Sequence, residues 1–224
     1  RKAYMSLGNL LHKKSYIDMD YIYGSLSNSD GENPIDYPAL DANPAEVITV
    51  ATNAITGEAK YFEKSDISQD NYDVIKASCS IPLVCPPYIV KGIPYYDGAL
   101  SDPIPVEKAF SMGCDRVVLI LTRPKDFRRK QGKDLLIARG IRKKYPKAAA
   151  RMEQRAENYN AWLDKAVSME RQGKVLIIAP DDTCGMDTLT RDTSAMKKFY
   201  EKGFQDGGAI TRYLHVSCDQ VMEL

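Results

Sequence analysis

The sequence predicts an α/β protein, and three observations carry that prediction. Val117 to Leu121 is a continuous apolar run that directly follows a helical pattern and is bounded by Asp115 and Pro124. A strand buried on both faces of a parallel sheet reads this way. Glu46 to Ala51 and Lys60 to Phe62 are strand-like runs joined through Thr56-Gly57, and apolar residues at helical spacing fill much of the chain beyond Ala148.

A chain of 224 residues with 44% hydrophobic content is long enough for a substantial core and fits one domain, or most of one. Lys plus Arg number 31 against 30 Asp plus Glu, so the net charge of +1 offers no argument for nucleic acid as a partner. Cys79, Cys85, Cys114, Cys184 and Cys218 are odd in number, scattered and free of Cys-x-x-Cys pairing. That pattern argues against a disulfide framework or a zinc site and makes a reducing cytoplasm the expected setting. Neither a bilayer-spanning apolar run nor a signal-peptide pattern is present, and the chain opens at Arg1 in mid-pattern, as a piece of a longer protein would. Targeting signals upstream stay open.

Leu7, Leu10, Leu11, Ile17, Tyr21 and Ile22 are spaced for one or two short amphipathic helices, and Ser27 to Pro38 has the composition of a surface loop. Two strands follow, Glu46 to Ala51 and Lys60 to Phe62, with Gly57 supplying positive φ in a hairpin-like connection. Tyr72, Val74, Ile75 and Ala77 predict a short helix that Pro82 stops, because the residue before proline is pushed out of the helical region. After a Gly92 turn, Ile93 to Tyr96 reads as a strand delivering Asp97. Pro103 and Pro105 suit the first turn of a helix with Asp102 or Ile104 as N-cap, Val106, Ala109 and Phe110 facing inward and Gly113 ending it. Beyond the Val117 strand, a long helix runs from about Ala148 to Gln172, then a strand at Val175 to Ile178, then a last helix from about Ser194 to Gly207.

Asp97-Gly98 in isolation is a common tight-turn dipeptide. Its surroundings change the reading. Ala77-Ser78-Cys79-Ser80-Ile81-Pro82, Cys85-Pro86-Pro87, the strand into Asp97-Gly98-Ala99 and the helix opened by Asp102-Pro103-Ile104-Pro105 form an ordered set that resembles the patatin-like phospholipase family. Val50-Ala51-Thr52-Asn53 with Thr56-Gly57-Glu58 looks like the preceding strand pair of that family. Tyr4-Met5-Ser6-Leu7, Asn9-Leu10-Leu11 and Leu121-Thr122-Arg123-Pro124 look like a bacterial subgroup.

The resemblance implies a patatin-like three-layer α/β/α fold with a central, mostly parallel sheet. Residues 1–124 would be the C-terminal part of that domain and 125–224 a mainly helical extension. It also implies a lipid acyl hydrolase using a Ser-Asp dyad in which Asp97 is the catalytic base, with Gly98 and Ala99 forming the motif turn. A serine hydroxyl is a poor nucleophile at neutral pH, so a positioned base must take its proton as it attacks an ester carbonyl. A carboxylate serves in a dyad, Gly98 would let the backbone turn, and no histidine is required; the only two here are His12 and His215. The Gly-x-Ser-x-Gly elbow and Gly-rich oxyanion loop of the family have no match in the chain, so the nucleophile is expected before Arg1 and the fragment alone is expected to be inactive. No metal or organic cofactor is implied. The partner is a lipid or other acyl ester, and the setting is cytoplasmic with peripheral membrane contact as an option.

Plainer readings stand beside these. Asp102, just ahead of a proline-opened helix, reads first as a cap, and Cys79 and Cys85 read first as buried structural thiols. The basic segment from Arg123 to Lys147 reads first as a solvated face and second as a surface for anionic headgroups. Trp162 and its helical neighbours read as packing. Tyr95 and Tyr96 either line an acyl pocket or pack the strand. The rival function is a non-catalytic lipid- or protein-binding module on the same fold; a nucleotide-binding domain is disfavoured because no Gly-rich phosphate loop follows a strand.

Overall fold

A computed structural model describes residues 3–187 and 189–214, so the expectations attached to His215 and Cys218 lie outside the described residues. The described chain divides into two compact units. The first takes in residues up to Pro103 together with Lys130–Asn158, and the second Ile104–Arg129 together with the residues from Tyr159 onward.

The first unit opens with α1 (Leu7–Lys13), whose N-cap Ser6 accepts the Asn9 amide at 3.0 Å. The other helical stretch expected before Tyr23 is a π-helical turn over Tyr21–Leu26, started by Asp18, whose carboxylate accepts the Tyr21 amide at 3.1 Å. Within and beyond the expected loop lies α2 (Tyr37–Ala42), with Asp36 capping the Ala39 amide at 3.0 Å and Pro38 in the first turn.

A four-stranded sheet forms the centre of this unit, from β1 (Thr49–Asn53), β2 (Ala59–Phe62), β3 (Tyr88–Val90) and β4 (Ile93–Asp97) in the order β2-β1-β4-β3. All its pairings are antiparallel. Tight turns impose that direction. Gly57 closes β1 to β2 at φ +74°, and Lys91 and Gly92 close β3 to β4 at φ +49° and +80°, the paired positive values that a two-residue hairpin turn needs. Side chains alternate across a strand, so the neighbours Tyr95 and Tyr96 enter opposite faces. Tyr95 packs with Phe62, Ile67, Tyr72 and Val90, while Tyr96 packs with Leu100, Tyr145 and Met152. Both rings are buried, which settles them as strand packing. The first face is covered by α3 (Asp73–Ser78), and the second by α5 (Gly132–Ile141) with the N-terminal turns of α6 (Pro146–Arg171).

The second unit holds α4 (Val106–Ser111), β5 (Val117–Ile120), β6 (Val175–Ile178), α7 (Thr193–Gly207) and α8 (Ala209–Leu214), with the turns of α6 from Tyr159 onward. β5 and β6 pair in parallel, Val117 opposite Val175 and Ile120 opposite Ile178. The α/β class therefore holds, with the parallel pairing at β5 and β6 and the antiparallel pairing in the hairpin-built sheet. Ile104, Val106, Leu163, Ala166, Val175 and Ile177 make the core here, with Trp162 half-buried against it. Burial of β5 on both faces does not hold. Ile120 is 67% exposed, and β6 is the only strand that β5 pairs with among the described residues.

Candidate active site

Asp97 is the last residue of β4, where the strand passes directly into a 3-10 turn over Gly98–Leu100. Its backbone and one carboxylate oxygen are tied down. Its amide donates to the Ser80 carbonyl at 2.9 Å, its carbonyl accepts the Thr52 hydroxyl at 2.8 Å, and its Oδ1 accepts the Ala99 amide at 2.8 Å. Thr52 is fully buried and meets the Ser101 hydroxyl at 2.8 Å, so the β1 strand is clamped to the residue that closes the 3-10 turn as well as to the aspartate that opens it.

Gly98 is glycine for space rather than for turning. Its φ is not positive, but a β-carbon there would collide with the Val50 carbonyl oxygen and stand 2.8 Å from the carbonyl carbon of the same residue. Close approach of β1 is what excludes a side chain. Ala99 follows as the residue whose amide fixes the carboxylate.

The negative charge of Asp97 acts on two thiols. Burial pushes the Cys79 thiol up, a hydrogen bond from Tyr23 opposes this, and the Asp97 charge adds to the rise. Burial likewise pushes the Cys85 thiol up, again with a contribution from Asp97. The Tyr23 hydroxyl and Cys79 Sγ are 3.7 Å apart, and burial, followed by the charge of Cys79, raises the Tyr23 phenol. Thiols shifted this way are poorly ionised and weak nucleophiles, which supports the structural reading of both cysteines. Tyr4, Tyr23, Cys79 and Val84 pack around the buried set Met5, Ile17, Met19 and Cys85, so the N-terminal segment supplies much of the apolar surface beside Asp97.

Next to this wall lies a cavity of about 130 Å³ whose lining includes Ser15, Asp18, Asp20, Ser80, Cys85 and Tyr88. Lys76 is buried at its edge, donating to Asp20 at 2.9 Å, to Asp73 at 3.1 Å and to the Tyr88 hydroxyl at 3.0 Å. Desolvation opposes the charge on Lys76, but the hydrogen bonds to Tyr88, Asp20 and Asp73 together hold its ammonium above the usual lysine range. The turn from Ser80 to Cys85 is drawn tight by the Val84 and Cys85 amides on the Ile81 carbonyl, at 3.2 and 2.9 Å, and leaves Leu83 at φ +66°.

The serines near the motif are engaged elsewhere. Ser78 donates to the Val50 carbonyl at 2.6 Å, Ser80 to the Lys76 carbonyl at 2.8 Å, and Ser27 to the Ile22 carbonyl at 2.8 Å. Gly24-Ser25 lies inside the π-helical turn rather than between a strand and a helix. Asp102 departs from the capping role expected of it. The N-cap position of α4 is Pro105, and Asp102 instead accepts the Tyr61 hydroxyl at 2.5 Å. The two prolines after Asp102 delay the helix to Val106, which takes the carboxylate out of reach of its first amides.

Sequence reasoning missed Tyr4, Tyr23, Lys76 and Tyr88 as neighbours of the motif. The signal that could have pointed to Lys76 is a lysine on the helix bearing Val74 and Ala77, a charge where core residues were expected.

Residues 3–110 match the family model described as patatin-like phospholipase. Residues 145–214 match a model described only as a domain of unknown function, DUF6363.

Proposed function

We propose, from the match of residues 3–110 to the patatin-like phospholipase family model, that the chain is part of a lipid acyl hydrolase in which Asp97 is the general base of a Ser-Asp dyad. The serine comes from a segment outside residues 1–224, since the chain carries no Gly-x-Ser-x-Gly elbow. In this reading the domain runs to about residue 124, with 125–224 as a mainly helical extension. The serine oxygen attacks the ester carbonyl as Asp97 takes its proton, the alcohol leaves with that proton, and Asp97 then activates water against the acyl-enzyme. Backbone amides from the missing Gly-rich loop hold the oxyanion.

The observation that supports this most is the fixation of Asp97. A base works best when held in one orientation before substrate arrives, and hydrogen bonds to amide, carbonyl and Oδ1 do this here. The substrate side is a lipid or related acyl ester. Peripheral contact with an anionic lipid surface is favoured by Lys130, Lys133, Arg139, Lys143 and Lys144, all exposed on or beside α5. Other cations of this segment are engaged, Lys125 with Glu170 and Arg128 with Asp164 at 2.7 and 2.6 Å. Among the described residues no helix is long and apolar enough to cross a membrane.

The test is Asp97→Asn in the longer protein that carries the serine. Ester turnover should vanish while the melting transition stays, and retained turnover would remove Asp97 from the mechanism. A fluorophosphonate probe should label the longer protein and leave residues 1–224 alone unlabelled. Failure to label the longer protein would favour the binding-module reading.

A further inference from the structure

We infer that the second unit carries a dimerisation surface on α7, which pairs antiparallel with α7 of a second copy of this chain. The surface is formed by Met196, Tyr200, Gly203, Phe204 and Gly207. None of these residues takes part in the acyl-hydrolase reading, so the inference goes beyond that reading and does not rest on it.

α7 is apolar on two sides. At about 100° per residue, Ala195, Phe199, Lys202 and Asp206 share one side of the helix, and this is the covered side, with Ala195 buried and the other three half-buried. Met196, Tyr200, Gly203 and Gly207 fall within about 60° of one another on a second side, with Phe204 at its margin. Met196 is 40% exposed, Tyr200 72% and Phe204 77%. Single exposed apolar residues are ordinary, whereas three large ones recurring at every fourth position make a continuous patch of the kind that meets a partner.

The glycines indicate which kind of partner. Inside a helix, a glycine costs about four- to five-fold in helix stability relative to alanine. Neither Gly203 nor Gly207 has a positive φ, and a β-carbon on either would meet nothing within 4 Å apart from the adjoining helix backbone. Neither a turn nor packing within the chain calls for them. What glycine supplies on an exposed helix side is room for the close approach of another helix. A lipid surface is met by bulky apolar side chains and has no use for such gaps.

The order of residues along α7 fits a copy of itself. Met196 and Tyr200 lie toward the N-terminal end, and Gly203 and Gly207 toward the C-terminal end. With a two-fold axis passing between Glu201 and Lys202, an antiparallel pair brings Met196 level with Gly207 of the second copy and Tyr200 level with its Gly203, so each bulky side chain meets a gap. A symmetric parallel pair would set bulk on bulk. Charge agrees with the antiparallel choice. Lys197 and Lys198 make the N-terminal half positive, whereas Glu201, Lys202 and Asp206 leave the C-terminal half with a net negative charge. Antiparallel pairing sets these opposite signs, and the opposite ends of the two helix dipoles, side by side. One helix buries less than the roughly 800 Å² per partner of a standard interface, so the dimer is weak and depends on concentration.

Sedimentation velocity on the 224-residue chain over about 1 to 300 μM, a range that brackets a weak interface, should show a monomer passing into a dimer. Tyr200→Asp should weaken dimerisation about thirty-fold or more, the weight of a central aromatic anchor. Gly203→Ala combined with Gly207→Ala should weaken it about five-fold or more, because two methyl groups overpack the close contact. The same double variant should keep or raise the melting temperature of the dilute protein, since alanine is the better helix former, whereas glycines needed only by the monomer fold would lower it on replacement. Monomer at every concentration, or a dimer that neither variant weakens, would overturn the inference. So would a monomer that floats with phosphatidylglycerol–phosphatidylcholine vesicles through Tyr200, which would give the surface to lipid. A chain that dimerises only after removal of residues 215–224 would overturn it as well, giving the surface to that segment.

Discussion

Gly98 and Val50 approach so closely that a β-carbon on the glycine would collide with the valine carbonyl. This contact sets the distance between β1 and the turn that carries the aspartate, and a methyl group can be admitted only by moving one of them. Gly98→Ala should destabilise the fold by about 1–3 kcal/mol, the usual weight of overpacking. Urea denaturation gives the comparison, and an unchanged midpoint would show that β1 yields freely.

Alkaline pH should weaken the fold. Burial raises the phenols of Tyr23, Tyr61 and Tyr96 well above the ordinary value, with the Asp102 carboxylate adding to the effect at Tyr61, and burial lifts Tyr88 to about 12. The folded state therefore keeps protons that the unfolded chain releases near pH 10. The stabilisation is complete below about pH 10 and is lost as pH climbs through the folded values. Phenolate absorbance should lag behind that of free tyrosine and then rise together with unfolding, and Tyr96→Phe should reduce the pH slope of stability.

Lys76 and its carboxylates should respond unequally to mutation. The Lys76 side chain is 10% exposed, whereas those of Asp20 and Asp73 are 69% and 41% exposed. Removing the lysine leaves carboxylates that water can solvate, so Lys76→Met should cost about 1 kcal/mol or less. Removing both carboxylates strands a buried ammonium, and Asp20→Ala with Asp73→Ala should cost about 3 kcal/mol or more. Chemical denaturation of the variants gives both numbers, and equal costs would contradict the burial asymmetry.

The elements with strong local signatures were legible in the sequence. The helix expected from about Ala148 to Gln172 is Pro146–Arg171, the Val175 strand has the expected bounds, and Gly57 has the positive φ that its turn required. The strand ending at Asp97 was readable because an apolar run meets a turn dipeptide there. β3 was not, since Pro86-Pro87 masks a three-residue edge strand whose existence depends on pairing with β4. α5 was hidden by its charge, as its buried residues are only Asp134, Ala138 and Ile141. At the site, the motif itself could be read, but its neighbours could not. Tyr4 and Tyr23 reach Cys79 and Cys85 through tertiary packing that no local spacing encodes. Asp102 misled because the cap rule considers the helix ahead of it and not Tyr61 on a strand far upstream.

The threonine behind the aspartate has a dynamic consequence. Because Thr52 joins the Asp97 carbonyl to Ser101 while Ser80 holds the Asp97 amide, the peptide units on either side of this residue cannot rotate without breaking buried hydrogen bonds. Slow amide exchange should mark this point even if the neighbouring surface breathes, so the segment that carries the carboxylate keeps one backbone conformation while its surroundings fluctuate.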